Sequence, residues 1–167
     1  MEKRPRIKIA LRPFDRTVEA LSWFSLALLW LVVLFNYTQL PPTIASHFNA
    51  AGVVDGYVDK KEIFTLPIIG TFIFVLLTVL NNYPHLFNYP TNITPQNALV
   101  QYTNATKMLR YLKFAIGILF LLIITVTLKV AAGKAEGLGP WFLPIGLGLI
   151  FTVVAFFIVK SLKRNKS

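Results

Sequence analysis

The polar chemistry of this 167-residue sequence is concentrated in one stretch, where His47, Asn49, Asp55 and Asp59 are followed at once by Lys60, Lys61 and Glu62. An imidazole with two carboxylates offers ligands to a divalent ion, and oxygen-rich loops favour hard cations. His47, Asp55 and Asp59 are therefore the metal-ligating alternative. Their spacing is irregular and no helical period puts them on one face. The leading reading is a hydrogen-bonded clasp, with Asp55 accepting from turn amides and His47 held by a carboxylate or carbonyl. A third reading makes His47, Asn49, Gly52, Asp55, Tyr57 and Lys60 a recognition surface for an extracytoplasmic protein or peptide.

Catalytic readings find little to work with. The sequence has no His-Glu-x-x-His, Gly-x-Ser-x-Gly or P-loop. Ser46 beside His47 is not a dyad, because a base must meet its nucleophile in space. Cysteine is absent, which removes disulfides, thiolate metal sites and thiol nucleophiles. No catalytic residue, no resident metal and no cofactor is assigned.

The elements that must position this stretch are apolar. Hydrophobic residues make up 55% and charged residues 14%, and mean hydropathy is +0.61. A soluble domain carries about 25% charged residues, so an ordinary soluble globule is excluded. Four runs reach the roughly 20 apolar residues that span a bilayer as a helix: 20–37, 63–80, 111–131 and 140–159. The first has a basic lead and a passable small-residue cut at Thr43-Ile44-Ala45, but it is too long for a signal-peptide core and is read as a retained anchor. The fold class expected is all-α, a four-transmembrane-helix bundle forming a single integral-membrane domain over 1–167. Pro67 and Pro144 fall inside runs and suggest kinks, while Gly146 and Gly148 suggest a thin face for close helix contact.

Orientation follows from Lys and Arg in the short connections. Thirteen lie on one side: Lys3, Arg4, Arg6, Lys8, Arg12, Arg16, Lys107, Arg110, Lys113, Lys160, Lys163, Arg164 and Lys166. Only Lys60, Lys61, Lys129 and Lys134 lie on the other. Both termini are expected in the cytoplasm. The net charge of +10 is then explained by topology and by anionic lipid, without a nucleic acid. The partners expected are the lipid bilayer and a membrane or extracytoplasmic protein or peptide; a homo-oligomer is left open.

Two connections exceed the 2–8 residues usual between bundled helices. In the outer loop, 38–62, Asn49-Ala50-Ala51-Gly52 suits a type I turn with Gly left-handed, and Asp55-Gly56 is a second turn signal. Ile44 to Phe48 can then fold back on Val53 to Val58 as a hairpin lying on the membrane. In the inner loop, 81–110, Asn82-Tyr83-Pro84 near-repeats as Asn88-Tyr89-Pro90, which keeps the chain extended. Thr94-Pro95-Gln96-Asn97 then starts a helix. Ala98, Leu99, Tyr102, Ala105, Met108, Leu109 and Leu112 follow at helical spacing, an amphipathic juxtamembrane helix over 95–112 that runs into the third span. Glu19, at the inner mouth of the first run, is read as an interfacial carboxylate near Arg12 and Arg16.

Leu40-Pro41 through His47-Phe48-Asn49, Gly52, Asp55-Gly56-Tyr57 and Lys60 resemble the signature of the bacterial membrane family called domain of unknown function 1648. Phe87-Asn88-Tyr89-Pro90, with Thr94 and Asn97-Ala98 to Tyr102, is similar to the segment that follows in small stand-alone members. The same module heads an immunity protein that protects bacilli from their own sporulation-delaying toxin, a protein with further spans in a second domain. The resemblance implies a bacterial inner (cytoplasmic) membrane protein. The expected function is non-catalytic, an accessory, sensory or immunity-type module presenting the outer loop. The alternatives are a metal-dependent envelope activity at that loop and a subunit of an oligomeric transporter.

Overall fold

A computed structural model describes residues 4–163. Four long helices dominate it: α1 (Pro13–Asn36), α2 (Thr65–Leu80), α3 (Ala98–Ala131) and α4 (Phe142–Lys163). Together with their flanking turns, all four are long and apolar enough to cross a membrane. Between α1 and α2 stands a two-stranded antiparallel hairpin, β1 (Thr43–Phe48) and β2 (Val54–Asp59).

Local chemistry accounts for the helix limits. Pro13 opens α1, where a missing N–H costs nothing, and the Asp15 carboxylate reaches back to the Arg12 amide at 3.2 Å. Pro67 and Pro144 are each the third residue of their helices, so they occupy first turns whose amides have no intrahelical partner anyway. The kinks expected from them are not required. Before α3, the Thr94 amide donates to Asn97 Oδ1 at 2.9 Å, and the Asn97 amide donates to Thr94 Oγ1 at 3.4 Å. This reciprocal cap starts the helix at the Thr-Pro-Gln-Asn sequence, and it then runs unbroken for 34 residues. At 1.5 Å per residue that is about 51 Å, roughly 20 Å more than a hydrocarbon core.

α3 is the central post. It packs against α1, α2, α4 and β1. It comes close to α1 at Gly117, where an added Cβ would stand 2.2 Å from Ser25 Oγ. Ser22 and Ser25 are buried there and turn their hydroxyls back onto the Val18 and Ser22 carbonyls, both at 2.7 Å. Trp30 on α1 donates to Thr71 on α2 at 3.0 Å. The apolar core runs through Leu26, Leu29, Val33, Ile63, Phe74 and Ile124.

α4 leans on α3. Gln101 donates to the Ser161 carbonyl at 3.0 Å and accepts from the Ser161 hydroxyl, while Asn104 donates to the Phe157 carbonyl at 2.7 Å. Gly146 is buried against Leu119, but Gly148 has nothing beside it, so the thin face is one glycine rather than two. The outer side of α4, with Ile145, Phe151 and Phe156, is exposed and apolar, as a lipid-facing surface must be.

Candidate functional site

The hairpin is built by its turn. Gly52 has φ +74, a backbone conformation that glycine adopts without steric cost. The Gly52 amide donates to the Asn49 carbonyl at 2.8 Å, and the Asn49 amide to the Val53 carbonyl at 2.9 Å. Asn49 Oδ1 accepts from the Ala51 and Val53 amides at 2.9 and 3.1 Å. Asn49 is therefore a turn staple. Asn49→Ala should cost about 1 kcal/mol, a fall of about 2–4 °C in melting temperature, with faster hydrogen exchange at the Ala51 and Val53 amides as the local readout.

Asp55-Gly56 does not turn the chain. Both residues lie in β2, and the pairing runs Ala45 to Tyr57, His47 to Gly56, then Phe48 to Val54, with register shifts on each side of His47. An extra residue in a strand re-aims its neighbours. Here the irregular register brings the His47 ring onto the Asp55 carboxylate, joined through Nδ1. The clasp therefore forms between His47 and Asp55. The turn amides are held by Asn49 instead.

The other sequence-predicted residues divide by role. Lys60 bridges back, donating its amide to the Pro42 carbonyl at 2.9 Å and its ammonium to the Leu40 carbonyl at 3.4 Å, and it lies 5.1 Å over the Tyr37 ring. Asp59 accepts from the Lys61 amide at 2.9 Å and caps the turn that leads into α2. It pairs with Thr43, at the far end of the ladder from His47. No cluster of three metal-ligating side chains forms among the described residues, so the third ligand of the metal alternative stands apart from the other two. His47, Asp55 and Tyr57 remain outward: the His47 side chain is 72% exposed and that of Asp55 42%, and Tyr57 as a residue 65%. On the inward side Ile44 and Ala45 are buried against the bundle.

Residues 24–71 match the family model of a domain of unknown function, DUF1648. The DUF1648 match takes in the second half of α1, the whole hairpin and the first turns of α2, so it coincides with the hairpin and the helical ground beneath it. Leu26, Leu29, Val33, Leu40, Ile44 and Ile63, all members of the apolar core, fall inside it. The second stretch of resemblance, Phe87 to Tyr102, lies beyond it. An uncharacterised protein of Archaeoglobus fulgidus is 33% identical over 78 residues, covering 42% of this chain and 43% of the relative. The chain thus matches less than half of that relative's length. No solved structure matches.

Two sets of residues outside the DUF1648 match complete the picture, and neither was read from the sequence. The first is a dock for the hairpin tip. The Gly52 carbonyl accepts from the Leu138 and Gly139 amides at 2.8 and 3.4 Å, and Val53 bridges Gly137. A Cβ on Gly52 would stand 2.2 Å from the Gly139 carbonyl oxygen, and one on Gly137 would stand 2.1 Å from that of Gly52. The α3–α4 connection thus clamps the tip by backbone contact.

The second is a charge cluster at the opposite end. Glu19 pairs with Lys113, which also donates to Thr78 at 2.9 Å, and faces Arg110 at 3.8 Å. Asp15 faces Lys107 at 3.3 Å. Asp15, Arg110 and Lys113 are buried. Glu19 therefore answers to α3, not to Arg12 and Arg16. The signal was present: Asp15 and Glu19 are four apart, and Lys107, Arg110 and Lys113 recur every three residues, so each set lies along one helix face.

Proposed function

We propose that this chain is a non-catalytic multi-pass membrane protein that presents the β1–β2 hairpin as a rigid recognition element for an extracytoplasmic protein or peptide, in an accessory, sensory or immunity-type role. The observation that carries the reading is the two-sidedness of the hairpin. Its inner residues Ile44 and Ala45 are buried, its tip is clamped to the α3–α4 connection, and His47, Asp55 and Tyr57 stand outward on the resulting platform. A rigid platform carrying an exposed aromatic and a charge-capable pair is what recognition without large ordering cost needs. The excess of Lys and Arg at the end bearing the termini supports an outward hairpin and cytoplasmic termini, in the inner (cytoplasmic) membrane that the sequence resemblance implies.

Because the chain has no cysteine, orientation can be tested with single introduced thiols. Tyr57→Cys should react with a membrane-impermeant maleimide on intact cells, and Ser167→Cys only after lysis; the reverse pattern overturns the topology. The recognition role is tested by placing a photo-crosslinker at Val53, 53% exposed at the tip. A crosslinked partner should be enriched with the native hairpin and lost with His47→Ala/Asp55→Ala at unchanged melting temperature. Identical crosslinks from both proteins would sink the assignment of these side chains.

A further inference from the structure

At the end of the bundle opposite the hairpin, the chain from Arg4 to Arg12 runs without helix alongside the connection between α2 and α3. A cleft of about 890 Å³ lies under the hairpin; a second, of about 820 Å³, opens between this N-terminal segment and that connection. Both are walled largely by apolar groups, and the second also carries charged side chains. Among the described residues its walls carry Arg6, Lys8 and Arg110, against one acid, Glu19, whose carboxylate is already engaged by Lys113.

The walls are fixed. Arg4 ties the N-terminal segment to the connection, donating to the Phe87 carbonyl at 2.7 Å and the His85 carbonyl at 3.4 Å, and it lies 5.8 Å over the Tyr89 ring. Tyr89 donates to the Pro84 carbonyl at 2.8 Å, and burial pushes its phenol up, so it remains a neutral donor there. Arg6 and Lys8 are exposed and form no ion pair with any described residue. Asn81, the C-cap just after α2, lines the cleft with a buried side-chain oxygen that accepts no hydrogen bond from any described residue. Buried acceptors are nearly always satisfied, and a donor entering the cleft would complete this one.

The ligand must therefore bring an anion to Arg6 and Lys8 and a hydrogen-bond donor to Asn81. It must also sit at the membrane boundary, because α2, apolar to its last residue, ends at Leu80 immediately before Asn81. Leu11, Tyr83 and Leu86 line the same cleft and are exposed, as an acyl-bearing ligand requires. We infer that this cleft binds the headgroup of an anionic phospholipid, its phosphate held by Arg6 and Lys8 and a headgroup hydroxyl donating to the Asn81 side-chain oxygen. Guanidinium and ammonium groups at the end of a transmembrane helix are suited to phosphate. The site is remote from the hairpin and does not depend on the recognition role.

The test is lipid titration of the full chain in mild detergent, read by native mass spectrometry. Phosphatidylglycerol should bind about tenfold more tightly than phosphatidylcholine, and Arg6→Gln/Lys8→Gln should remove most of that preference. Arg12→Gln/Arg16→Gln deletes equal charge at the same end but outside the cleft, and should change it less than about twofold. Equal losses in the two double variants would overturn the site in favour of general charge attraction. Asn81→Leu should weaken phosphatidylglycerol and leave phosphatidylmethanol, an anionic phosphodiester with no hydroxyl on its headgroup, unchanged; parallel behaviour of the two lipids would overturn the hydroxyl contact. Displacement of phosphatidylglycerol by an equal concentration of glycerol phosphate would overturn the lipid assignment. Should the Arg6→Gln/Lys8→Gln protein fail to fold, the lipid preference of the native chain and of Asn81→Leu decides the matter.

Discussion

Gly52→Ala is expected to detach the hairpin tip and lower stability by about 3–4 kcal/mol, and Gly139→Ala by only about 1–2 kcal/mol, although both glycines have positive φ, +74 and +79. The conformational cost of a Cβ in the left-handed region is common to both. What separates them is space. At Gly139 a Cβ meets nothing within 4 Å, whereas at Gly52 it stands 2.2 Å from a backbone carbonyl oxygen, and backbone cannot rotate aside as a side chain can. The tip and the α3–α4 connection must then part, which breaks the bonds from the Leu138 and Gly139 amides to the Gly52 carbonyl, each worth about 1 kcal/mol. Gly137→Ala supplies the complementary case, a clash 2.1 Å from the Gly52 oxygen at a position without positive φ. Thermal melts in one detergent should rank Gly52→Ala below Gly139→Ala by about 5 °C, and the Leu138 amide should lose its exchange protection in Gly52→Ala and Gly137→Ala alone. A Gly52 variant no worse than the Gly139 variant would remove the dock from the account of hairpin rigidity.

The dock shows which parts of the molecule a single sequence exposes. The turn at Asn49–Gly52 was legible because every group that makes it lies within five residues: an Asx side chain, four amides and a glycine. The four apolar runs were legible because bilayer thickness sets their length. Asp55-Gly56 misled for a related reason. Aspartate and glycine serve a tight turn and a strand irregularity equally well, and only the pairing of β1 with β2 chooses between them. Pro67 and Pro144 lie well inside their apolar runs yet only two residues after the starts of α2 and α4, a placement that composition alone does not reveal.

What stayed hidden is long-range. Nothing near Gly52 announces Gly137 and Gly139. The helix over 95–112 was read by its apolar stripe, yet Leu99 is 54% exposed while Gln101, Asn104 and Arg110 are buried. The reason is that this length of α3 packs against the polar ends of α1 and α4, where Asp15, Glu19 and the Ser161 carbonyl need partners. In such a setting polar residues are buried alongside Ala98 and Tyr102 of the apolar stripe, both fully buried. The basic residues Lys107, Arg110 and Lys113 were counted as markers of topology. They also fix which turns of α1 and α3 meet.

That pairing carries the second large effect. Glu19→Ala should destabilise the protein by about 3–5 kcal/mol, because it strands a charge inside the bundle. The Lys113 side chain is fully buried. Without Glu19 it keeps only the Thr78 hydroxyl at 2.9 Å and the faces of Trp23 and Phe74 at 5.1 and 5.8 Å. Lys113→Met should cost less, about 1–2 kcal/mol, since Glu19 is partly exposed and still faces Arg110. The double variant Glu19→Ala/Lys113→Met removes both charges and leaves an apolar filler of similar length. It should recover part of the Glu19→Ala loss, giving a coupling of about 2–3 kcal/mol. Denaturation of the four proteins in the same detergent supplies the cycle. Additive losses would mean that Lys113 reaches water or finds another partner once Glu19 is gone. Recovery would mean that the pair aligns α1 with α3 chiefly by making every other registration more costly, since sliding either helix by one turn would bury Lys113 without its carboxylate.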